Sequence, residues 1–357
     1  MRYVILILLI CTSLPALAQD DSARVNFGLK LYTGQTVVHT QSVKNIADAN
    51  PFGFELEWAK QQTNFASYNI SSAYIKTGWA LSYFNYDLPL LGHAVIASRF
   101  IEPQYRIFKK LQFGVRASAG VAYLSNPNDA EKNPANNNYA LHINPYLHLG
   151  TSLNFQLSKH LSAGLQTNFH HISNGNIQQP NKGINWVTAA VSMHYYPGNN
   201  TLPKYKRVHN KFWKDKIANV QVGIFYVPYQ GYFEKWMAQR KYALGAFAKI
   251  TKQIGGASAV TAGTEIYYNN FKQDDNVKKV TSGVVAGIHG GHVFLLGKVH
   301  FSQQIGFAFY NKIYFLPNFY HRWGLDYNIN NRFTIGANLK ANSDNADFFD
   351  VRLGINL

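Results

Sequence analysis

Much of the chain alternates between apolar and polar residues with a period of two, as a β-strand with two different faces requires. The clearest case is residues 161–173, where the odd positions are apolar up to Phe169 and the even positions are small or polar up to Ile172. After a loop rich in Asn, Gln and Pro, the pattern resumes at Gly183, and residues 187–195 are again apolar at odd positions. The sequence therefore predicts two neighbouring strands joined by a loop.

Similar segments recur along the whole chain, about eight before a basic stretch and seven to nine after it. Residues 161–164 also resemble residues 333–336, which indicates an old duplication. The predicted strands are 24–32, 52–58, 73–84, 93–105, 111–123, 144–157, 161–173 and 187–195, followed by 220–229, 242–251, 260–268, 281–288, 292–296, 300–309, 319–327, 333–341 and 348–357.

The pattern predicts an all-β protein, an antiparallel transmembrane β-barrel with about 14–16 strands in total or a duplicated eight-stranded unit. Residues 19–197 form the first unit, residues 198–216 a basic linker or turn, and residues 217–357 a second unit, in the same barrel or in one of its own. Aromatic residues make up 15% of the chain and its mean hydropathy is −0.20, as expected when apolar and polar residues alternate. A soluble β-sandwich is the competing architecture.

The chain begins like a secretory protein. Arg2 precedes an apolar run, and Ala16-Leu17-Ala18 supplies the small residues of a cleavage site, so residues 1–18 are predicted to be a removed signal peptide. The single cysteine, Cys11, lies within it. We therefore expect a mature chain without disulfides, thiolate metal sites or a cysteine nucleophile.

A formal net charge of +16 restricts the partners. A secreted chain does not normally meet nucleic acid, and the sequence has no recognition helix or zinc-ligand spacing, so we expect no nucleic-acid partner. The positive charge could instead attract anionic lipid phosphates in an outer membrane. Charged residues inside the barrel explain the net charge equally well. A basic cluster falls between the two strand-rich regions: Lys204, Lys206, Arg207, Lys211, Lys214 and Lys216.

The candidate catalytic residues lie where the apolar face of residues 161–173 ends. His171 and Ser173 continue that face, and Asn185 holds the same parity on the next strand. Residues i and i+2 of a strand project to one side about 6–7 Å apart at their backbones, so His171 is within reach of the Ser173 hydroxyl. His170 has the opposite parity and is expected to face the interior.

The segment His171-x-Ser173-Asn174-Gly175, followed by Pro180-Asn181-Lys182-Gly183-Ile184-Asn185, resembles the signature of the PagL-type lipid A 3-O-deacylase (acyloxyacyl hydrolase) family. The resemblance covers this hairpin closely and the barrel pattern of the first half more loosely. It implies an outer-membrane esterase that removes an ester-linked acyl chain from lipid A. Ser173 would be the nucleophile and His171 the general base, with Asn174 and Gly175 supplying the oxyanion hole.

The sequence differs from the family pattern at the residue that would orient the histidine. Spacing carries the family's acid onto Asn185, which can accept a hydrogen bond from His171 but brings no charge. We therefore expect lower activity than a carboxylate would give, or dependence on another acid. A noncatalytic outer-membrane barrel that keeps the motif, such as a pore, adhesin or structural protein, is the alternative, and a phospholipase or general esterase would use the same chemistry.

The predicted partners are lipopolysaccharide or lipid A and outer-membrane lipids, and the predicted location is the outer membrane of a Gram-negative bacterium. The proposed chemistry requires no cofactor and no metal. The sequence does not determine the oligomeric state.

Overall fold

The computed structural model describes residues 23–175, 177–206, 213–229, 241–269, 283–312, 317–342 and 345–357. The predicted signal peptide and, from the basic cluster, Arg207 and Lys211 lie outside these residues. Within them, sixteen strands form two closed antiparallel barrels of eight strands each. The chain divides into two compact units, of which one comprises Met1–Ser173 and Gly183–Val208 with the first barrel, and the other comprises Asn174–Lys182 and His209–Leu357 with the second barrel. This confirms the predicted all-β barrel fold and resolves it as two eight-stranded barrels.

In the first barrel every predicted strand corresponds to an observed one. The barrel closes where the first strand pairs antiparallel with the eighth. Its strands are β1 (Ala23–Thr36), β2 (Phe52–Gln62), β3 (Tyr74–Asn85), β4 (His93–Arg106), β5 (Leu111–Leu124), β6 (Ile143–Gln156), β7 (Leu161–Ile172) and β8 (Ile184–Tyr195). A 3₁₀ helix, Gln41–Ile46, follows β1, and a short helix, α1 (Phe65–Ser71), follows β2.

The second barrel closes through pairing of its first and last strands. Its strands are β9 (Asn219–Tyr229), β10 (Lys241–Gln253), β11 (Ser258–Asn269), β12 (Gly283–Leu296), β13 (Val299–Asn311), β14 (Phe319–Asn328), β15 (Phe333–Asn342) and β16 (Asn345–Asn356). No helix in the described ranges is long and apolar enough to cross a membrane.

One strand prediction was wrong. The sequence pattern breaks at Gly290-Gly291 and predicted two short strands, 281–288 and 292–296, whereas the structure has the single strand β12. Both glycines are paired in the ladders on either side. A Cβ on Gly291 would collide with the Gln303 carbonyl of β13, so this glycine permits close approach of two backbones and does not form a turn.

The alternation of the strands separates an apolar outer wall from a polar interior. Outward residues such as Leu31, Trp58 and Leu165 are about half or more exposed. This is the face that an outer-membrane barrel presents to lipid.

Buried ion pairs fill the interior of the first barrel. Glu57 lies 2.7 Å from Arg116 and 3.4 Å from Lys30, and it also pairs with Lys76, while Glu55 lies 3.0 Å from both Lys30 and Arg116. The opposite charges compensate one another where water is excluded. An eight-stranded barrel has an interior just wide enough for such side chains.

The second barrel has an ion network of its own. Glu265 is paired with the Arg322 guanidinium, and Arg352 lies 2.6 Å from Asp350. All four side chains are almost completely buried. Each of these ion networks therefore forms within one barrel's own set of strands.

An apolar cluster closes the end of the first barrel at which β7 ends and β8 begins. Loops 37–51, 86–92 and 125–142 contribute Val43, Leu91 and Tyr139 to it, all fully buried. Ile172 of β7 and Ile184 of β8 belong to the same cluster and are 0% exposed. This packing holds the end of the β7–β8 hairpin in a fixed position.

Candidate active site

The outward side of the β7–β8 pair carries the predicted histidine and its partner. His171 and Asn185 are directly opposite each other in the strand register. The neighbours of His171, His170 and Ile172, point into the barrel and are buried. His171 Nδ1 lies 2.6 Å from Asn185 Oδ1. Because an amide oxygen only accepts, this bond assigns the ring proton to Nδ1.

Ser173 lies just beyond the end of β7, where the ladder with β6 continues for one more bond. Its backbone N–H donates to the Pro145 carbonyl at 3.3 Å. Its Oγ lies 2.8 Å from His171 Nε2. With the proton on Nδ1, His171 Nε2 accepts from the hydroxyl, which is the arrangement in which a histidine can act as a general base.

Together the three side chains form a continuous hydrogen-bonded chain from serine hydroxyl to imidazole to amide. Within the described residues no carboxylate hydrogen-bonds His171, so Asn185 occupies the place of the acid in a Ser–His–acid triad. The residues that sequence parity placed on one face are therefore adjacent in space, and their catalytic roles remain predictions.

Two further residues at this site were given no role from the sequence. His39, in the loop after β1, has its Nδ1 3.1 Å from Asn185 Nδ2. The Val37 N–H donates to the Asn185 carbonyl at 2.8 Å, which extends the β1–β8 ladder and brings His39 to the site. The alternation of β1 could have indicated His39. Odd-numbered residues of β1 face outward, and β1 must pair with β8 to close the barrel, so an odd-numbered residue just after β1 lies near the outward residues of β8.

Gly183 is the second residue. Its φ is +76°, a conformation that glycine adopts without steric cost. A Cβ at this position would lie 3.2 Å from His171 Cε1 and 3.3 Å from Ser173 Cβ. The Gly183 N–H donates to the Asn138 carbonyl at 2.8 Å, which anchors the residue against the pair.

Asn174 and Gly175, the predicted oxyanion-hole residues, follow Ser173 directly. The Asn174 N–H donates to Asn181 Oδ1 at 2.8 Å, and its side-chain Nδ2 donates to the Gln178 carbonyl at 2.7 Å. One of the two side-chain N–H groups is thus engaged within the loop. Gly175 has a φ of +62°, and the hydrogen bonds between described residues do not involve its N–H.

A groove runs along the outer wall beside the site. It has a volume of about 810 Å³ and is lined in part by Phe169, Thr167, Val187, Ala189 and Leu149. Phe169 and Val187 are each two residues from His171 and Asn185 along their strands, so the groove begins next to the hydrogen-bonded chain. Its largely apolar lining offers a surface for a hydrocarbon chain.

The second barrel contains a superficially similar pair. Ser258 Oγ lies 2.6 Å from His292 Nε2. In the part of the chain that the structure describes, the other ring nitrogen of His292 contacts no side-chain oxygen, so this pair lacks an orienting residue. The described residues also contain no group of His, Cys, Asp or Glu side chains that could hold a metal ion.

Two family models match the chain. Residues 51–194 match the model described as lipid A 3-O-deacylase (PagL), and residues 218–357 match the acyloxyacyl hydrolase C-terminal domain. The first match includes Ser173, His171 and Asn185. Together the two matches cover the polypeptide except for residues 1–50 and 195–217.

Among solved structures, the outer-membrane enzyme PagL is similar to part of the chain at 18% identity, covering 46% of this chain and 97% of that one with a TM-score of 0.34. Neisserial surface protein A matches at 7% identity, covering 49% and 96% with a TM-score of 0.31. A deletion mutant of the monoaromatic hydrocarbon channel TodX matches at 8% identity, covering 94% and 90% with a TM-score of 0.20. A search of curated proteins finds no match. On the two family models, the chain belongs to the PagL-type lipid A 3-O-deacylase (acyloxyacyl hydrolase) family of outer-membrane β-barrel proteins.

Proposed function

We propose that this protein hydrolyses an ester-linked acyl chain of lipid A, with Ser173 as nucleophile and His171 as general base. The observation that carries the proposal is the chain of hydrogen bonds from Ser173 Oγ through His171 to Asn185 Oδ1 on the outer wall of the first barrel. A serine hydroxyl needs such a base to attack an ester at neutral pH. The membership of the chain in a lipid A deacylase family supports the choice of substrate.

The reaction proceeds in two steps. Ser173 Oγ attacks the ester carbonyl while its proton passes to His171 Nε2, and collapse of the tetrahedral intermediate returns that proton to the departing sugar oxygen. Water then attacks the acyl-serine with His171 again as base, which releases a fatty acid and restores Ser173. The second N–H of the Asn174 amide and the Gly175 N–H are the proposed donors to the oxyanion.

The location of the site supports a substrate that arrives from the lipid phase. The site lies on the outward face, and the groove beside Phe169 and Val187 can receive an acyl chain. Strands β1, β3, β5 and β7 all end at the same edge, where the two longest connections, 37–51 and 125–142, lie together with 86–92 and 173–183. The opposite edge has the connection 63–73, which contains α1, and the short turns 107–110 and 157–160. Outer-membrane barrels place their longer loops outside, so we propose that the site faces the outer leaflet, where lipopolysaccharide lies.

Purified full-length protein in detergent, incubated with lipopolysaccharide, tests the proposal. We expect release of a 3-hydroxy fatty acid, and a decrease in rate of at least about 10³-fold for Ser173→Ala, since little catalysis remains when a triad serine is removed. Ser258→Ala is the matched control, because it removes the serine of the similar pair in the second barrel. Equal activity of Ser173→Ala and the parent protein would overturn the assignment, and a folded parent protein that releases no acid would favour a noncatalytic barrel.

A further inference from the structure

An asparagine in the third position of a triad raises a problem that a carboxylate does not have. A carboxylate offers an oxygen to the histidine in either orientation, whereas an amide offers oxygen on one side and NH₂ on the other. If the Asn185 NH₂ group faced His171, it would donate to Nδ1, and the ring proton would move to Nε2. The ring would then donate to Ser173 and could not accept its proton. In Ser–His–Asp hydrolases, an Asp→Asn change that produces this wrong tautomer costs about 10⁴-fold in kcat.

The structure contains a group on the far side of the Asn185 amide. Asn185 Nδ2 lies 3.1 Å from His39 Nδ1, within normal hydrogen-bond range, while Oδ1 of the same amide lies 2.6 Å from His171 Nδ1. Because the NH₂ group only donates, His39 Nδ1 is the acceptor in this bond and its ring proton is on Nε2. The Val37 carbonyl lies 3.5 Å from the same nitrogen, which is longer than a normal hydrogen bond.

We infer that His39 is a positioning residue that holds the Asn185 amide with its oxygen toward His171. The inference rests on the proposed function and adds to it a fourth member, so that the hydrogen bonds run from Ser173 through His171 and Asn185 to His39. His39 does not touch the reacting atoms. It acts by making the amide orientation that a general base requires more stable than the reversed orientation.

The backbone places His39 beside Asn185 independently of the side-chain distances. The Val37 N–H donates to the Asn185 carbonyl, so the chain two residues before His39 is fixed to the residue that His39 contacts. Loop 37–51 continues into the buried residues Val43 and Ile46 of the apolar cluster. His39 is therefore held between a strand pairing and a packed loop.

A double-mutant cycle tests the inference, because the effect of replacing His39 should depend on whether residue 185 carries an amide. In the parent protein, His39→Phe should lower kcat about fivefold with little change in KM, the loss expected from one hydrogen bond. His39→Gln, whose oxygen can accept from Asn185, should restore activity to within about twofold of the parent. In the Asn185→Asp background, where either oxygen can face His171, His39→Phe should change kcat by less than about twofold.

The matched control is His142→Phe. His142 lies in a loop at the same end of the first barrel, and its Nδ1 hydrogen-bonds the Leu124 carbonyl at 2.8 Å. It should leave kcat unchanged in both backgrounds. Equal losses for His39→Phe with Asn185 and with Asp at position 185 would show a purely structural role and overturn the inference, as would full activity of His39→Phe in the parent protein.

A second readout does not depend on turnover. The ¹⁵N chemical shifts of the His171 ring in the full-length protein in detergent micelles show which nitrogen carries the proton, and His171→Gln assigns the signals. We expect Nδ1–H in the parent protein and a shift toward Nε2–H in His39→Phe. An unchanged ring signal in His39→Phe would overturn the inference. A parent protein that releases no fatty acid but shows the expected ring signals would defeat the proposed hydrolysis and leave the role of His39 supported.

Discussion

Asn185 is the residue at which this site differs most from a serine hydrolase with an acid. It accepts from His171 Nδ1 at 2.6 Å, so it can fix the ring orientation and the tautomer. In the proposed reaction it cannot supply the negative charge that would stabilise the imidazolium formed when Ser173 loses its proton. The chain therefore keeps the geometric part of the third residue's role without its electrostatic part.

Asn185→Asp should raise the rate of deacylation. The substitution preserves the side-chain length and replaces a neutral acceptor by a charged one, whose hydrogen bond to an imidazolium is stronger by about 1 kcal/mol, or roughly fivefold in kcat. The measurement is the initial rate of fatty-acid release from lipopolysaccharide. Asn199→Asp, an exposed change in the connection after β8, adds the same charge away from His171, and its carboxylate can still accept from the Thr201 N–H. It should leave the rate unchanged. An unchanged or slower Asn185→Asp protein would contradict the orienting role of Asn185.

The sequence was sufficient to place three of the four linked side chains. Period-two parity put His171 and Ser173 on one face, and the spacing of the following strand added Asn185. His39 was not found, because its contact with Asn185 spans 146 residues and arises only when β1 pairs with β8. Parity acts within one strand, whereas barrel closure depends on the register between the first and last strands.

At the level of secondary structure, the β7–β8 hairpin holds these side chains next to one another. Buried residues alternate with the site residues on both strands, so the interior packing of Ile172 and Ile184 fixes the outward positions of His171 and Asn185. Gly183 then lies against the pair with a positive φ. The hairpin thus links the apolar core to the outer wall within a few residues.

Gly183→Ala should impair both the hairpin and the reaction. The new Cβ would crowd His171 and Ser173, and a left-handed conformation costs an alanine about 1–2 kcal/mol. We expect a decrease in kcat of roughly tenfold with a small decrease in stability, read from fatty-acid release and from urea unfolding of the folded band on gels.

Gly198→Ala is the comparison, since a Cβ there would meet nothing within 4 Å. It should leave both the rate and the unfolding midpoint unchanged. Equal behaviour of the two alanine variants would show that the close packing of Gly183 against the pair has no functional consequence.

Strand prediction succeeded where alternation was regular and failed where glycines interrupted it. All eight strands of the first barrel were anticipated, and their ends differ from the observed ones by a few residues. In β12 the prediction left residues 289–291 outside two short strands, and sequence alone does not distinguish a glycine that bends the chain from one that admits a neighbouring backbone. The contact with Gln303 that decides between these two roles is a property of the folded sheet.

For the whole molecule, the main result is the presence of two closed barrels. The sequence left open whether the sixteen strands form one barrel or two, because both arrangements use the same alternation and differ only in which strands close the sheet. In the structure β1 pairs with β8 and β9 pairs with β16. The residues proposed for catalysis all come from the first part of the chain, 37–195.

A shortened chain ending at residue 206 should therefore fold and retain deacylase activity. Its first barrel has no unpaired strand edge, and its interior charges are compensated by its own strands. Folding is measured by the heat-dependent shift in gel mobility, and activity by fatty-acid release, with the Ser173→Ala form of the same fragment as control. A folded fragment without activity would show that residues after 206 contribute to the site.

The most direct test of the central claim is mass spectrometry of lipid A from cells that express the full chain. Cells with the parent protein and with Ser258→Ala should yield lipid A that has lost the mass of one hydroxyacyl group. Cells with Ser173→Ala or with an empty vector should yield intact lipid A. Intact lipid A in all four samples, with the protein folded in the outer membrane, would contradict the claim that Ser173 and His171 deacylate lipid A.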